Sequence, residues 1–323
     1  MVSFPHCKIN LGLRILRKRE DGYHDLETVF YPLPVEDVLE ITTLNDRSQE
    51  SGSPSVASAK GGVGSQETIQ NSEDHSRLTT RLPDGQAHHS RSWILDTGTL
   101  RFNQTGLEVD GNPEDNLCTK AYYLLKKEFP LLPSIQMHLH KNIPMGAGLG
   151  GGSADAAFVL KQLNTTFNLN LTTEQLIAYA LQLGSDCPFF IIDKPCWATG
   201  RGEILEPLQL DLSAYSFMIV SPGLHISTSW AFSMIKTSDA SFSIKEIIQK
   251  PVITWKGELV NDFEAPVFNK HPEIKIIKDT LYQKGAIYAS MTGSGSSVFA
   301  LFPKNQLPSD LFPKTHYRID MIS

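Results

Sequence analysis

A run of closely spaced glycines in residues 144–154 is the part of the sequence best suited to bind an anion. Its five glycines lie between a strand-like segment that Pro144 closes and an alanine-rich segment that predicts a helix over residues 153–167. Glycine lets the backbone turn through positive φ and approach an anion closely, while free N–H groups and the positive end of the helix dipole face the negative charge. A flexible turn is the plainer alternative, but five glycines so near a helix start favour an anion site. We therefore predict a phosphate-binding loop comprising Pro144, Met145, Gly146, Ala147, Gly148, Leu149, Gly150, Gly151, Gly152, Ser153 and Ala154.

Three well-known groups of nucleotide-binding proteins use glycine loops, and this loop fits none of them. A Walker A loop needs Gly-Lys-Ser or Gly-Lys-Thr, and residues 144–154 contain no lysine. Gly146, Gly148 and Gly151 match the G-x-G-x-x-G pattern of dinucleotide-binding proteins, yet residues 135–140 alternate like a one-sided antiparallel strand. The V-A-I-K and H-R-D signatures of protein kinases do not occur in the sequence. A less common phosphate loop is therefore indicated.

The loop and four further segments resemble the superfamily of galactokinase, homoserine kinase, mevalonate kinase and phosphomevalonate kinase, the GHMP kinases. Residues 8–11 (Lys-Ile-Asn-Leu), 184–190 (Gly-Ser-Asp-Cys-Pro-Phe-Phe) and 291–297 (Met-Thr-Gly-Ser-Gly-Ser-Ser) are similar to its N-terminal, central and C-terminal motifs. Residues 19–26 (Arg-Glu-Asp-Gly-Tyr-His-Asp-Leu) resemble one family in particular, the diphosphocytidyl-methylerythritol kinases. This last segment carries the most specific information about the substrate.

The resemblance implies a two-domain α+β architecture, the GHMP kinase fold. An N-terminal nucleotide-binding domain, similar to domain 2 of ribosomal protein S5, would cover residues 1–198, and a C-terminal domain, residues 199–323, would complete the substrate cleft. A chain of 323 residues is long enough for two packed domains. The likeness extends from about residue 3 to residue 302.

Asp186 and Lys8 are the residues to which the resemblance assigns the chemistry. On its own, Asp186 is interpreted as an ordinary turn or cap aspartate. Lys8 is interpreted as a solvated lysine on the polar face of a half-buried strand over residues 7–15, a face that Asn10 shares. In the superfamily the aspartate accepts the proton of the attacking alcohol, and a neighbouring lysine helps to neutralise charge that develops on the phosphate. The resemblance therefore implies that Lys8 and Asp186 are catalytic.

The same resemblance implies that residues 144–154 bind ATP, the phosphoryl donor. Ser153 has an ordinary interpretation as the N-cap of the following helix and a functional one as a hydroxyl near the β-phosphate or a magnesium ion. Mg²⁺ is implied by the chemistry of ATP rather than by a ligand cluster, since the sequence shows no carboxylate clearly dedicated to it.

The resemblance also implies a site for a cytidine diphosphate derivative. Tyr23 would offer an aromatic plane to the cytosine, His24 would offer a polar edge, and Phe232 would stack on the other face, with Trp230 as a nearby competitor. The other substrate-binding residues that the resemblance implies are Asn10, Gly293, Ser294 and Gly295. Without the resemblance, residues 293–297 are either a hairpin turn or a second backbone nest for phosphate.

Bulk properties exclude several other classes of protein. A formal net charge of −6 argues against a general nucleic-acid binder, which needs a basic face. No apolar run approaches the roughly 20 residues that a membrane-spanning helix requires. His138 and His140 share a strand face, but without a third partner they do not indicate a metal site. We expect small-molecule partners only, neither nucleic acid nor membrane, and the sequence does not fix the oligomeric state.

The cysteines and the N-terminal segment bear on the compartment. The four cysteines lack CxxC spacing, which indicates free thiols in a reducing environment. They are Cys7, Cys118, Cys187 and Cys196. The first residues enter a strand-like pattern without a charged and apolar leader, so we expect a cytoplasmic protein.

Residues 46–92 differ in composition from the rest of the chain. They contain no aromatic residue and are dominated by Ser, Gly, Thr, Gln and charged residues. Such a segment cannot bury enough apolar surface to offset its ordering entropy, so we predict a disordered or loosely held insertion. A tolerated surface loop is favoured over a regulatory element.

Periodicity and capping signals predict the remaining elements. Helices are expected over residues 117–129, after an N-cap at Asp115-Asn116, over residues 173–183 and from Pro272 to just before Gly285. Strands are expected over residues 35–42, 189–193, 197–199, 217–221, 287–291 and 298–301.

Together, the resemblance implies ATP-dependent phosphorylation of the C2 hydroxyl of a diphosphocytidyl-methylerythritol, a step of the non-mevalonate route to isoprenoids. One alternative is another kinase of the superfamily that acts on homoserine or mevalonate, against which the Gly-Tyr-His run at residues 22–24 argues. A second alternative is a non-catalytic nucleotide-binding regulator, against which the presence of Lys8, Asp186 and both glycine-rich motifs argues.

Overall fold

The computed structural model of the chain describes residues 1–44, 77–81, 93–109, 111–235, 243–309, 312 and 316–322. These residues form three β-sheets with helices packed against them. The strands are β1 (Val2–Ser3), β2 (His6–Lys18), β3 (His24–Glu36), β4 (Val38–Thr43), β5 (Arg77–Arg81), β6 (Trp93–Asp96), β7 (Leu100–Gly106), β8 (Ile135–Lys141), β9 (Cys196–Thr199), β10 (Ile204–Pro207), β11 (Tyr215–Ser221), β12 (Tyr288–Met291), β13 (Val298–Pro303) and β14 (Tyr317–Ile322). The helices are α1 (Leu117–Glu128), α2 (Gly151–Thr166), α3 (Thr173–Leu183), α4 (Cys187–Ile192), α5 (Thr228–Ser233), α6 (Ile244–Ile247), α7 (Glu264–Lys270) and α8 (Pro272–Gln283).

The first sheet has the strand order β1-β4-β8-β7-β6 and carries α1, α2 and α3 on one face. Its central strand β8 pairs antiparallel with β4 and parallel with β7. Buried and more exposed residues alternate along β8, because Ile135, Met137 and Leu139 face the helices. The predicted one-sided strand is therefore confirmed, although it has one parallel neighbour.

The second sheet, β10-β9-β3-β2, brings the N-terminal strand to the middle of the molecule. Lys8 and Asn10 share one face of β2, as predicted, but they are only 3% and 2% exposed. The expectation of a half-buried strand with a solvated lysine is wrong here, because Gly150 of the glycine loop packs against the Lys8 side chain and Thr292, which follows β12, contacts the Asn10 side chain. The strand predicted over residues 35–42 is two strands, β3 and β4, which separate at the buried Asp37 and enter different sheets.

The third sheet, β12-β13-β11-β14-β5, packs against α7 and α8. Its edge strand β5, residues 77–81, lies inside the segment predicted to be disordered and pairs antiparallel with β14. The prediction is wrong for these five residues, in which two threonines and a leucine favour a strand. The rest of the predicted insertion lies outside the described residues.

Several predicted helices and chemical states are confirmed. α3 has the predicted bounds, α1 begins after the predicted cap Asn116, and α8 begins at Pro272. All four cysteines are buried free thiols, and burial raises the pKa of the Cys7 thiol to about 12. The structure describes no helix long and apolar enough to span a bilayer. The hairpin of β9 and β10 extends across residue 198, and the domain boundary at that residue stays a prediction.

Candidate active site

Lys8 and Asp186, the two predicted catalytic residues, form an ion pair. Lys8 Nζ lies 3.3 Å from Asp186 Oδ2 and donates a hydrogen bond to Asn10 Oδ1 at 2.6 Å. The ammonium also lies 4.8 Å from the centre of the Phe30 ring, which adds a cation–π contact. The side chain of Lys8 is 4% exposed, whereas that of Asp186 is 35% exposed. The lysine therefore supports the carboxylate from the protein side, and the carboxylate remains accessible to a ligand.

The position of Asp186 depends on the short helix α4, which begins at Cys187. A strand was predicted over residues 189–193, and this prediction is wrong, since residues 187–192 are helical with Pro188 in the first turn. A short apolar run does not distinguish a strand from a buried helix, and proline is well suited to a first helical position. Asp186 occupies the N-cap position, but its side chain makes no capping hydrogen bond. The carboxylate therefore does not cap the helix, and it pairs with Lys8 instead.

The glycine loop contacts this pair directly. The backbone N–H of Lys8 donates to the carbonyl of Leu149 at 2.9 Å. Gly150 has φ +74 and is the N-cap of α2, so the predicted capping role of Ser153 is wrong: the helix begins two residues earlier, at Gly151. A Cβ on Gly150 would lie 3.1 Å from Lys8 Cε and from Phe190 Cζ. A glycine is required at this point because both the left-handed backbone and the packing against Lys8 exclude a side chain.

Residues 292–297, the predicted C-terminal motif, close over the glycine loop. Thr292 Oγ1 donates to the Gly148 carbonyl at 2.9 Å and accepts the backbone N–H of Asn10 at 3.0 Å. A Cβ on Gly148 would lie only 2.1 Å from the Thr292 carbonyl oxygen. One hydroxyl therefore links β2, the glycine loop and the third sheet.

The predicted substrate residues of this motif lie beside the loop. Gly293 packs against Gly148, with its ideal Cβ position 3.2 Å from Gly148 Cα, and its carbonyl accepts from Asn261 Nδ2 at 2.9 Å. Ser294 Oγ is 3.1 Å from Thr228 Oγ1 at the start of α5. Gly295 has φ +97, in the left-handed region that favours glycine.

The predicted base-binding residues form a second, more open group. The rings of His24 and Phe232 stack on each other, with centroids 4.8 Å apart and planes inclined by 20°. This spacing leaves no room for a base between them. Tyr23 is 55% exposed, and the guanidinium carbon of Arg201 lies 4.8 Å from its ring centre. Burial, and to a smaller extent Lys18, lowers the pKa of His24, so its imidazole is neutral at pH 7.

The ring of Trp230, the predicted alternative to Phe232, contacts other residues. Lys270 Nζ lies 4.0 Å from its ring centre, and the ring of His271 meets it edge-on at 6.5 Å. Phe232 contacts His24 instead. The geometry thus favours Phe232 as the aromatic residue on the side of the predicted base site.

A cavity of about 150 Å³ lies next to the glycine loop. Met145 and Gly152 of the loop form one side, and Asn112, Asn116 and Leu117 form another. Lys141 and Asp155 also line it. These polar groups were not predicted, because only the fold brings them together. Asn116 had a visible signal as a helix cap, and its amide oxygen does accept the backbone N–H of Cys118 at 2.9 Å.

Arg201 is another residue that the sequence did not single out. It lies in the turn between β9 and β10, flanked by Gly200 at φ +68 and Gly202 at φ +105. The ideal Cβ position of Gly202 is 3.8 Å from Asp186 Oδ1. This turn therefore lies against both the Tyr23 ring and the Asp186 carboxylate, and the Gly-Arg-Gly sequence was the available signal.

The described residues offer neither a cluster of metal ligands nor a thiolate beside Asp186. No group of three or more His, Cys, Asp and Glu side chains suited to hold a metal ion occurs among them. His138 Nε2 and His140 Nδ1 both lie 2.9 Å from Thr105 Oγ1. Burial raises the pKa of the Cys187 thiol to about 12, so this neighbour of Asp186 is not a thiolate at neutral pH.

Two family models match the chain. The "GHMP kinases N terminal domain" matches residues 116–194, which include the glycine loop and Asp186, and the "GHMP kinases C terminal" model matches residues 244–311. Among solved structures, one titled 4-(cytidine 5'-diphospho)-2C-methyl-D-erythritol kinase superposes with a TM-score of 0.68 at 24% identity, covering 100% of both chains. An L. major mevalonate kinase superposes with a TM-score of 0.55 at 13% identity, covering 100% of this chain and 96% of that one. The fold is thus the GHMP kinase fold.

Curated relatives resemble the chain over nearly its whole length. A 4-diphosphocytidyl-2-C-methyl-D-erythritol kinase of Bacteroides fragilis is 48% identical over 94% of this chain and 92% of its own length. A protein of the same name from Bacteroides thetaiotaomicron is 46% identical over 95% of this chain and 94% of its own length. Another from Cytophaga hutchinsonii is 38% identical over 94% of this chain and 92% of its own length. With this identity and coverage, the chain belongs to the 4-diphosphocytidyl-2-C-methyl-D-erythritol kinase family of the GHMP kinases.

Proposed function

We propose that the protein transfers the γ-phosphoryl group of ATP to the C2 hydroxyl of 4-diphosphocytidyl-2-C-methyl-D-erythritol, giving the 2-phosphate and ADP. The observation that carries this proposal is the Lys8–Asp186 pair, 3.3 Å apart, which packs against a glycine loop at the start of a helix. The relatives named for this reaction support the substrate. Its product belongs to the non-mevalonate route to isoprenoid precursors, and we expect the reaction to take place in the cytoplasm.

Asp186 acts as the general base in this proposal. Its carboxylate is 35% exposed and makes no capping bond, so a substrate hydroxyl has access to it. A carboxylate can accept the proton late, as the phosphoryl group arrives at the alcohol oxygen. Asn10 and Phe30 hold Lys8 beside the carboxylate, where its charge fixes Asp186 and helps to neutralise the charge that develops on the phosphoryl group.

The glycine loop, residues 144–154, binds the phosphates of ATP. Gly146, Gly148 and Gly150 have left-handed φ, and Gly150 is the N-cap of α2, so the loop ends at the positive end of the α2 dipole. Mg²⁺ commonly keeps several waters and takes one or two protein oxygens beside the phosphates. The Ser153 hydroxyl in the first turn of α2 fits that need, and a bound Mg²⁺ would neutralise charge on the β- and γ-phosphates.

The base of ATP occupies the cavity next to the loop. The cavity borders Met145 and Gly152 of the phosphate loop, so a nucleotide whose phosphates lie on the loop can place its base there. Apolar side chains with a few convergent polar groups are typical of such pockets. The cytidine of the acceptor is bound between Tyr23 and Phe232, and His24 leaves its stack on Phe232 to offer a polar edge to the base.

A coupled assay of ADP release tests the proposal. The purified protein with ATP and Mg²⁺ should release ADP with 4-diphosphocytidyl-2-C-methyl-D-erythritol, but only at background rate with mevalonate or homoserine. A uridine diphosphate analogue of the substrate should react with a lower kcat/KM, since a site built for one base edge leaves polar groups unpaired with another. Rapid turnover of mevalonate or homoserine, or no turnover of the cytidyl substrate, would contradict the assignment.

A further inference from the structure

The turn between β9 and β10 holds a cation beside both groups of proposed substrate contacts. The guanidinium carbon of Arg201 lies 4.8 Å from the centre of the Tyr23 ring, which is proposed to stack on cytosine. The ideal Cβ position of the next residue, Gly202, is 3.8 Å from Oδ1 of Asp186, the proposed general base. The turn therefore reaches the base site with a side chain and borders the catalytic carboxylate with its backbone.

Hydrogen bonds tie the backbone of this turn to the neighbouring strands. The Leu26 N–H of β3 donates to the Gly200 carbonyl at 2.7 Å. The carboxylate of Glu203, just before β10, accepts the backbone N–H of Arg201. These bonds give the arginine side chain a fixed base, so that a ligand needs to order only the side chain itself, which limits the entropic cost of binding.

The guanidinium of Arg201 retains hydrogen-bond donors for a ligand. An arginine carries several N–H donors in a planar fork. Among the residues that the structure describes, the only hydrogen bond that this fork donates runs from Nε to Glu203 Oε1 at 3.4 Å, which is longer than an ordinary N–H···O bond. The side chain is 30% exposed, and its contact with the Tyr23 ring is a cation–π contact. The terminal amino groups are therefore available to an anion.

Arg201 differs in this respect from the two arginines of the adjacent hairpin of β2 and β3. Arg17 pairs with Asp25 at 2.5 Å, and Arg19 pairs with Asp25 at 3.0 Å and with Asp21 at 2.9 Å. These close ion pairs already use both guanidinium groups. An anion near Tyr23 would have to break them to bind Arg17 or Arg19, whereas it can bind Arg201 without such a loss.

The acceptor of the proposed reaction carries a diphosphate between its two recognised parts. In 4-diphosphocytidyl-2-C-methyl-D-erythritol, the diphosphate joins the cytidine to the methylerythritol, a few bonds from the C2 hydroxyl. If the cytosine lies at Tyr23 and the hydroxyl at Asp186, the diphosphate passes between them, where Arg201 lies. A planar guanidinium matches the oxygens of a phosphate group with two parallel hydrogen bonds.

We infer that Arg201 binds the diphosphate of the acceptor and thereby selects alcohols that carry a nucleoside diphosphate. This inference rests on the proposed function, which places the cytosine and the reacting hydroxyl. Arg201 is a substrate-binding residue in this account and takes no part in the proton transfer to Asp186.

Calorimetric titration of two fragments of the acceptor, cytidine and CDP, tests the inference. The protein is first saturated with a non-hydrolysable ATP analogue and Mg²⁺, so that CDP cannot occupy the ATP site. The ratio of the two dissociation constants isolates the diphosphate, because both fragments share any contact with the Tyr23 ring. The proteins compared are wild type, Arg201→Gln, Arg201→Lys and Lys18→Gln. Lys18 is an exposed cation that pairs with His24 in the register of β2 and β3, and it serves as the matched control for loss of a nearby charge.

We expect wild type to bind CDP more tightly than cytidine by about 10- to 100-fold, the effect of hydrogen bonds to a charged group. Arg201→Gln should abolish most of this preference. Arg201→Lys should keep about a third of it, since lysine retains the charge but not the fork. Lys18→Gln should change the preference by less than about twofold, since charge pairs at exposed positions contribute little.

Three results would overturn the inference: equal affinities of wild type for both fragments, a wild-type preference in folded Arg201→Gln, or equal losses in Lys18→Gln and Arg201→Gln. Circular dichroism checks the fold of each variant. If Arg201→Gln does not fold, Arg201→Lys decides, and an undiminished preference in that variant counts against the inference. The proposed function is tested separately, because it fails if wild type releases no ADP with the cytidyl substrate, whatever the two fragments do.

Discussion

Two groups of proposed site residues differ in exposure. In the phosphate end, formed by Lys8, Asn10, Asp186 and the glycine loop, Lys8 and Asn10 are 3% and 2% exposed, whereas in the base end, formed by Tyr23, His24 and Phe232, Tyr23 is 55% exposed. Hydrogen bonds link Lys8, Asn10, Thr292 and the Gly148 carbonyl of the phosphate end to one another. At the base end, the predicted partners contact one another instead: His24 stacks on Phe232.

This difference matches the different requirements of phosphoryl transfer and of base binding in the proposed reaction. Phosphoryl transfer depends on positioning and on preorganised charge, so its groups are useful only if they are held before substrate arrives. A base can be bound by side chains that rearrange, at some loss of affinity. We therefore expect changes at the phosphate end to lower kcat and changes at the base end to raise the KM of the cytidyl substrate.

The largest effect is expected for Asp186→Asn, which removes the proposed base but keeps its shape. The kcat should fall by about 10² to 10⁴ while the fold is retained. Steady-state ADP release gives the rate, and circular dichroism checks the fold. Asp279→Asn, at an exposed ion pair with Lys275 on α8, is the control and should keep wild-type kcat.

Lys8→Met should have the next largest effect, because it keeps the volume of the buried side chain but removes its charge. We expect kcat to fall by about 10² to 10³, the loss seen when one preorganised donor is removed from an active site. The double variant with Asp186→Asn should lose much less than the product of the single losses, since the two side chains act as a unit. Multiplicative losses would show that Lys8 and Asp186 act independently and not as the 3.3 Å pair.

Two glycine substitutions, one at each end, compare how much a new side chain lowers the free energy of unfolding. Gly148→Ala should destabilise the protein by about 2 to 5 kcal/mol, from left-handed strain and overpacking, because its Cβ would meet the Thr292 carbonyl oxygen at 2.1 Å. Gly22→Ala should cost about 1 to 2 kcal/mol, since φ is +83 but nothing lies within 4 Å of its Cβ. Urea denaturation of both variants measures the difference. Equal losses would mean that the phosphate end is no more tightly packed than the base end.

The smallest effects are expected at the aromatic residues of the base end. Tyr23→Ala and Phe232→Ala should each lose about 1 to 3 kcal/mol of substrate stacking. The KM of the cytidyl substrate should rise while kcat and the KM of ATP stay near wild type. Trp230→Ala is the control, since that ring packs on Lys270 and His271. A normal KM in both variants would place the cytidine elsewhere and leave the phosphoryl-transfer assignment intact.

Local sequence was sufficient to predict the features that depend on consecutive residues. The glycine loop, the bounds of α3 and the shared face of Lys8 and Asn10 follow from turns, caps and periodicity. The apolar run at residues 189–193 was assigned to a strand, because its length fits either element and only tertiary packing decides for α4. The N-cap of α2 was placed at Ser153 because a glycine such as Gly150 has no side chain to signal a cap.

Features made by distant residues could not be predicted. The buried ion pair of Lys141 and Asp37 joins residues that are 104 positions apart, and neither local sequence indicates the other residue as its partner. The stack of His24 on Phe232 likewise joins a strand of the second sheet to a helix of the C-terminal half. Such contacts arise from the sheet topology, in which the long strand β2 lies against loops from both halves of the chain.

Product formation at saturating ATP and cytidyl substrate, measured side by side for wild type and Asp186→Asn, tests most directly whether the Lys8–Asp186 pair is the phosphoryl-transfer centre. Wild type should form one 2-phosphate for each ADP released, and Asp186→Asn should form it at least about 10²-fold more slowly with an unchanged KM for both substrates. A folded Asp186→Asn variant that forms the product at the wild-type rate would contradict this account.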